Sequence, residues 1–196
     1  MTTPAPRRLI VGISGASGVI YGIRLLEVLR DIGLETHLIM SSAAEVTLAH
    51  ETDMKVVDVR ALASHWYAPG NIAAGISSGS FRTMGMIIAP CSIRTMSEIA
   101  TGMTTGLMSR AADVVLKERR RLVLMVRETP LHLGHLQTMT RLAEMGAIIA
   151  PPVPAFYNRP ATLADLVDHS VGRVLDLFDL DAGIVRRWHE DPPRSS

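Results

Sequence analysis

The sequence predicts an α/β protein: one doubly wound parallel sheet with helices on both faces. Five short apolar runs have the look of strands buried on both sides, amphipathic helical segments separate them, and a polar stretch rich in Gly, Ser or Pro follows each run. Repeated strand–helix units of this kind connect by right-handed crossovers.

The elements follow in order. Leu9–Ile13 is the first strand, and the helix after it, Ser17–Arg30, carries Ile20, Ile23, Leu25, Leu26 and Leu29 on one broad face until Gly33 stops it. Glu35–Met40 is the second strand. Ser42-Ala-Ala-Glu45 then reads as a capping box that starts the second helix directly after Ser41. Met84–Ala89, Leu122–Val126 and Ala147–Ala150 supply the remaining strands, with helices over Thr105–Glu118, His132–Glu144 and Leu163–Phe178, the last opened by Thr162-Leu-Ala-Asp165.

With 196 residues, 47% hydrophobic and 20% charged, the chain is expected to form a single domain over 1–196, with its core at about 8–180 and a C-terminal tail over 181–196 that includes Trp188, Pro192 and Pro193. A net charge of +1 leaves no footprint for nucleic acid or an anionic membrane. Cys91 is the one cysteine and no leader pattern precedes the first strand, so a reducing cytoplasm is expected. No apolar run approaches the roughly twenty residues that span a bilayer. Aromatic residues make up 4%, so a planar ligand would be held by backbone, aliphatic groups and methionines.

In such a sheet the ligand binds outside the carboxyl ends of the strands. The first of those ends, from Gly12 to Gly18, is a cradle for a phosphorylated cofactor: Gly12, Gly15 and Gly18 allow close approach and positive φ, while Ser14, Ser17 and the first helix amides offer donors. The glycine spacing is not that of a dinucleotide fingerprint, and there is no Walker Gly-Lys-Ser/Thr. The second strand ends in Ser41 and Ser42, not in the acidic residue that holds an adenosine ribose, which suits a phosphate or a flavin. The other ends read Pro90-Cys-Ser-Ile-Arg-Thr95, Arg127-Glu-Thr-Pro130 and Pro151-Pro-Val-Pro-Ala-Phe-Tyr157, so one crevice is expected to hold hydroxyls, two guanidiniums, a carboxylate and a phenol. The prolines at 151, 152 and 154 make a rigid turn and are the candidates for a cis bond.

The ordered blocks G-I-S-G-A-S-G, S-S-G-S, P-C-S-I-R-T, R-A-A-D-V-x-L-K-E-R-R, R-E-T-P and P-x-P-A-F-Y, running from Arg8 to the helix holding Arg173, resemble the flavin prenyltransferases of the UbiX type. The resemblance implies a Rossmann-like, flavodoxin-like enzyme that joins the dimethylallyl group of dimethylallyl monophosphate to N5 and C6 of reduced FMN. Its product, prenylated FMN, would serve a UbiD-type decarboxylase as cofactor. It also implies a large homo-oligomer, often a dodecamer, with active sites shared between subunits, and no metal. The scattered acidic residues, without an Asp-Asp-x-x-Asp block, agree with that last point.

Residue by residue, the resemblance implies that Gly15, Ala16, Ser17, Ser41, Ser92, Ile93, Arg94, Thr95 and Arg127 contact FMN, with Ser17 near the reactive edge. Lys117, Arg173, Arg110, Tyr157 and the Ser78-Gly79 backbone would take the leaving phosphate. Glu51 and Glu128 would carry protons for N5 and for ring closure at C6, provided burial raises a carboxyl pKa towards neutrality. The implied chemistry is ionisation to an allylic cation, capture at N5, then electrophilic attack on the ring in a water-poor pocket.

Without the resemblance, the Ser14–Ser17 loop also reads as a plain strand-to-helix turn, and Arg127-Glu128 as a surface ion pair. Glu118–Arg121 reads as a solvated helix end. His132 and His135 lack a third ligand at metal spacing, Cys91 lacks a paired base, and His65 and Trp66 have no assignment. Asn71–Gly75 stands where some family members carry a tryptophan, which leaves Ile72 in its place, and Ser42 replaces a lysine beside the FMN phosphate. Two rivals remain: an FMN-dependent peptidyl-cysteine or phosphopantothenoylcysteine decarboxylase, against which Tyr21 and P-C-S-I-R-T stand in place of a first-helix histidine and a P-A-S-A-N-T block, and a non-catalytic FMN-binding subunit of an aromatic acid decarboxylase.

Overall fold

A computed structural model describes residues 7–185. In chain order its elements are β1 (Arg8–Ile13), α1 (Val19–Asp31), β2 (Glu35–Met40), α2 (Ser42–Glu51), α3 (Val56–Ala61), β3 (His65–Tyr67), β4 (Gly85–Cys91), α4 (Ile93–Thr101), α5 (Leu107–Lys117), β5 (Arg121–Val126), α6 (Leu133–Glu144), β6 (Ile148–Ile149) and α7 (Leu163–Asp176). The strands form one parallel sheet in the order β3-β2-β1-β4-β5-β6. Chain direction across the sheet therefore reverses between β1 and β4, and a crevice opens at that switch point.

Alternation along each strand divides the core in two. Leu9, Val11 and Ile13 of β1 face α1 and α7, packing with Leu26, Val171 and Leu175. Ile10 faces the other way, onto a cluster with Ile88, Met96, Ala111, Val115 and Leu142 from β4, α4, α5 and α6. Gly22 makes the first of these contacts possible, because a Cβ there would lie 2.3 Å from the Ala89 carbonyl oxygen. The α/β doubly wound architecture read from the apolar runs is thus the one observed.

The differences are local and have physical reasons. The edge strand β3 escapes an apolar pattern because His65 and Trp66 are exposed, and it takes its place by pairing with His37 and Leu38. Helix α3 is likewise additional, and α4 follows directly on its cap Ser92. The second helix is capped by Ser41, whose side chain accepts from the Ala44 amide, so the Ser42–Glu45 capping box does not form; Glu45 instead pairs with Arg60 at 2.8 Å. The Thr162–Asp165 box does form. The first helix begins at Val19 rather than Ser17, since Gly18 turns into it with φ of 98°. Strand β4 runs on through Pro90 and Cys91. Cis peptide bonds precede Pro90 and Pro130, and none precedes Pro151, Pro152 or Pro154. His132 caps α6 through Nδ1, its ring stacked on His135 at 3.6 Å. The part of the expected tail from 186 on, with Trp188, Pro192 and Pro193, lies outside the described residues.

Candidate active site

The first loop departs most from expectation. Ser14 is fully buried: its hydroxyl donates to the Pro90 carbonyl at 2.9 Å and accepts from the Ser92 amide at 2.7 Å. It therefore stitches the end of β1 to the end of β4 and is not an anion donor. Of the three loop glycines, only Gly18 has positive φ. Gly12 sits inside β1 against Ile88, and Gly15 is required by space, since a Cβ there would come within 2.3 Å of the Ala43 methyl at the start of α2.

The Gly18 and Val19 amides at the start of α1 are already occupied. Both carboxylate oxygens of Glu51 accept from the Gly18 amide, at 2.9 and 3.0 Å, and one also accepts from Val19 at 2.9 Å. Burial pushes the Glu51 pKa up, but hydrogen bonds from the Ser17 side chain and the Gly18 and Val19 amides, with the charge of Arg127, outweigh it and leave the carboxyl below its ordinary value. The expected upward shift at Glu51 is thus overturned: an ionised carboxylate at a helix N-terminus is held as an anion. Tyr21, which also feels Arg127, has its phenol pushed up, mainly by burial.

The anion seats left open belong to α2 and α4. Ser41 and Ser92 cap them, each side chain accepting from an amide in the first turn, and Ser92 also donates to Thr95 at 3.1 Å. Between these two helix starts lies a cleft of about 550 Å³. Of the expected residues it is lined by Gly15, Ser41, Ser92, Ile93, Arg94, Thr95 and Glu128. Its volume falls in the range of small-molecule and cofactor sites, and two helix N-termini facing each other across it suit a phosphorylated planar ligand. The side chain of Arg94 is 84% exposed and pairs with Glu98 at 3.0 Å, and Glu128 accepts from the Thr129 amide at 2.9 Å.

Ala16, Ser17 and Arg127 do not line that cleft; they border it at the α1 end through Gly15, Glu51 and the Arg127 amide, which donates to the Cys91 carbonyl at 3.0 Å. Cys91 itself is fully buried, and burial pushes its thiol far up, which makes it an inert core residue.

Tyr157 and Arg173 meet elsewhere, around a residue the sequence reading passed over. The Tyr157 hydroxyl lies 2.8 Å from Nε2 of His169. His169 is buried one turn before Arg173 on α7, and burial, then the charge of Arg173, hold its imidazole below the usual range. Only the i, i+4 spacing of His169 and Arg173 could have drawn attention to it. Arg173 also pairs with Asp176 at 2.6 Å.

Arg110 stays near the cleft on the first turn of α5, whereas Lys117 and the Ser78-Gly79 loop fall at the other end of the sheet. Ser109, on the first turn of α5, lines the cleft, while Lys117 ends that helix eight residues on, about 12 Å further along its axis. Lys117 pairs with Glu118 at 2.6 Å, next to Gly79, where a Cβ would fall 2.8 Å from the ammonium nitrogen. Arg120 fixes that loop by donating to the carbonyls of Gly79 and Phe81, both at 2.7 Å. Glu118 and Arg120 partner Lys117 and the Ser78-Gly79 loop, while Glu118, Arg119 and Arg121 are exposed, as expected of a solvated helix end. Arg110 pairs with Asp113 at 2.7 Å. Within one chain the expected residues thus form separate groups.

The chain matches the Flavoprotein family over residues 2–188. It is 61% identical over 185 residues to the flavin prenyltransferase UbiX of Escherichia coli K12, covering 93% of this chain and 98% of the relative. Among solved structures it resembles AnUbiX (PadA1) in complex with FMN and dimethylallyl pyrophosphate, with a TM-score of 0.92 and 52% identity over 93% of this chain and 97% of that one. A dodecameric FMN-dependent UbiX-like decarboxylase from Escherichia coli O157:H7 gives 0.91 and 52%, over 92% and 98%. With this fold, this cleft and this degree of identity along nearly its whole length, the chain belongs to the flavoprotein family and, within it, to the UbiX flavin prenyltransferases.

Proposed function

We propose that this chain transfers the dimethylallyl group of dimethylallyl monophosphate to N5 and C6 of reduced FMN in the cytoplasm, without a metal, and that a UbiD-type decarboxylase uses the prenylated FMN. One observation carries the reading: residues suited to a flavin phosphate line a cleft at the carboxyl ends of the strands, while Lys117 and the Ser78-Gly79 loop lie at the amino ends. A site needing both halves is completed by a second copy of the chain, in a closed homo-oligomer such as a dodecamer.

Ser41, Ser92, Thr95 and Arg94, with the first amides of α2 and α4, hold the FMN phosphate, and Gly15 gives the ring a flat floor, with Ala16 at its border. Reduced FMN supplies the nucleophilic atoms. Ser17 stands at the reactive edge, its hydroxyl fixed by Glu51, which as an ionised group accepts a proton and does not donate one. Arg127 balances that charge. Ring closure at C6 takes up one proton at the alkene of the N5 adduct and releases one from C6, and Glu128, at the cleft, carries that exchange. As the allylic C–O bond breaks, the leaving phosphate meets Lys117, Arg110 and Arg173, with Tyr157 and the Ser78-Gly79 amides as neutral donors. Fixed donors of this sort stabilise developing charge without Mg²⁺. The rival thiol-decarboxylase and non-catalytic readings leave Lys117, Glu128, Tyr157 and Arg173 without a shared purpose.

The test is anaerobic incubation with FMN, dithionite and dimethylallyl monophosphate in the presence of a chelator, followed by mass spectrometry of the extracted flavin. The expected product is FMN heavier by one isoprene unit; unchanged FMN overturns the proposal.

A further inference from the structure

Away from the crevice, the amino ends of β2 and β3 bring together three side chains that no step above uses. Glu35 and His37 are two apart on β2 and so share a face, and the parallel register sets His65 beside His37. One oxygen of Glu35 lies 2.9 Å from Nε2 of His37 and 3.6 Å from Nε2 of His65. One ligand atom from each residue falls within 4.8 Å of the other two.

The geometry points to a divalent-metal site formed by Glu35, His37 and His65, with Zn²⁺ as the fitting ion and water in the fourth position. Ligands 2.0–2.1 Å from a tetrahedral zinc stand about 3.3 Å apart, between the two observed separations. Two imidazoles and a carboxylate favour Zn²⁺ over Mg²⁺ or Ca²⁺. The second shell is also present. Nδ1 of His37 is 2.9 Å from the Tyr67 hydroxyl, and a proton on Nδ1 donated to that oxygen leaves the Nε2 lone pair for the metal. Two ligands sit on one strand and are already in contact. The third, with a side chain 56% exposed, is open to solvent and can swing out of its 4.9 Å stack on His37 to close the site. Arg8 is the cation that opposes binding: its guanidinium lies 3.9 Å from the same Glu35 oxygen and over the Phe81 ring. A bound metal would clip β3, a three-residue edge strand, to β2.

The experiment is calorimetric titration of the full-length, untagged, chelator-stripped protein with ZnCl2, with the thermal midpoint followed in parallel. The expected result is one zinc per chain, a raised midpoint, binding at least about tenfold weaker in H65A and in E35Q, and a smaller loss in Y67F. H132A, which breaks the stacked pair on α6, should bind zinc as the parent does. Two variants at different positions separate loss of a ligand from misfolding. Absence of zinc binding, or equal affinity in parent, H65A and E35Q, overturns the assignment. Prenyl transfer in chelator is unaffected either way, so the site and the proposed function stand or fall separately.

Discussion

Replacing Glu51 by Gln removes one charge while keeping size and shape. In the parent, the carboxylate takes three contacts of 2.9–3.0 Å from the Gly18 and Val19 amides and a further one from Ser17. The glutamine retains a single acceptor oxygen and presents an amide donor towards N–H groups. Hydrogen bonds to a charged group contribute about 1.5–3 kcal/mol against about 1 for neutral ones. The interaction with the start of α1 adds about 0.3–1 kcal/mol. Because Glu51 is an exposed residue, the low end applies, about 0.5 kcal/mol for the weaker hydrogen bond plus about 0.3 kcal/mol for the helix start, or a midpoint lower by about 2–3 °C. The pH dependence identifies the cause. The folded pKa is depressed, so the stabilisation is present above the ordinary glutamate value near 4.3 and is lost as pH falls through the lower folded value. Urea unfolding at fixed protein concentration, at pH 7 and below pH 4, should therefore show a parent–variant gap that closes in acid. FMN should remain bound while prenyl transfer slows. A gap that persists in acid, or loss of FMN, refutes the assignment of Glu51 as the internal anion of α1.

Other substitutions probe the separate groups. G15A should abolish FMN binding, because its methyl meets Ala43 at 2.3 Å, and G15A/A43G should restore much of it; equilibrium dialysis with FMN measures both. R120Q frees the Gly79 and Phe81 carbonyls, and is expected to cost about 2 kcal/mol of stability and raise the KM for dimethylallyl monophosphate with FMN affinity unchanged. H169N, which loses the Tyr157 contact, should raise that KM about fivefold, the equivalent of one neutral hydrogen bond, by steady-state kinetics. Co-assembled K117M and E128Q chains, each inactive alone, should regain about a quarter of parental activity if every site draws these residues from different subunits.

The buried strands were legible because apolar runs flanked by turn residues leave little choice of structure. β3 was not, since its membership rests on hydrogen bonds to β2 and on one face of packing, neither of which leaves a run in the sequence. The cleft residues Ser41, Ser92 and Thr95 were legible as strand-end hydroxyls. Ser14 was misread for the same reason: a hydroxyl at a strand end looks alike whether it serves a ligand or ties two strands together, and only the 2.7 and 2.9 Å bonds across β1 and β4 distinguish the cases. His169 and Arg120 act through partners far away in sequence, Tyr157 twelve residues off and Gly79 forty-one, so no local pattern marks them.

Glu51 explains why a sheet in the dinucleotide strand order lacks a dinucleotide cradle at its first loop. In such sheets the α1 N-terminus is the natural seat for pyrophosphate. Here a carboxylate from the end of α2 fills that seat, and a second anion there would face both an ionised group and amides already engaged. In the proposed function the FMN phosphate takes instead the starts of α2 and α4, whose caps Ser41 and Ser92 open onto the cleft. That shift frees the edge beside Ser17 for chemistry instead of binding. It also sets a charged acceptor and Arg127 next to the place where the flavin edge would lie, so one carboxylate both excludes the wrong ligand and prepares the site for the right one.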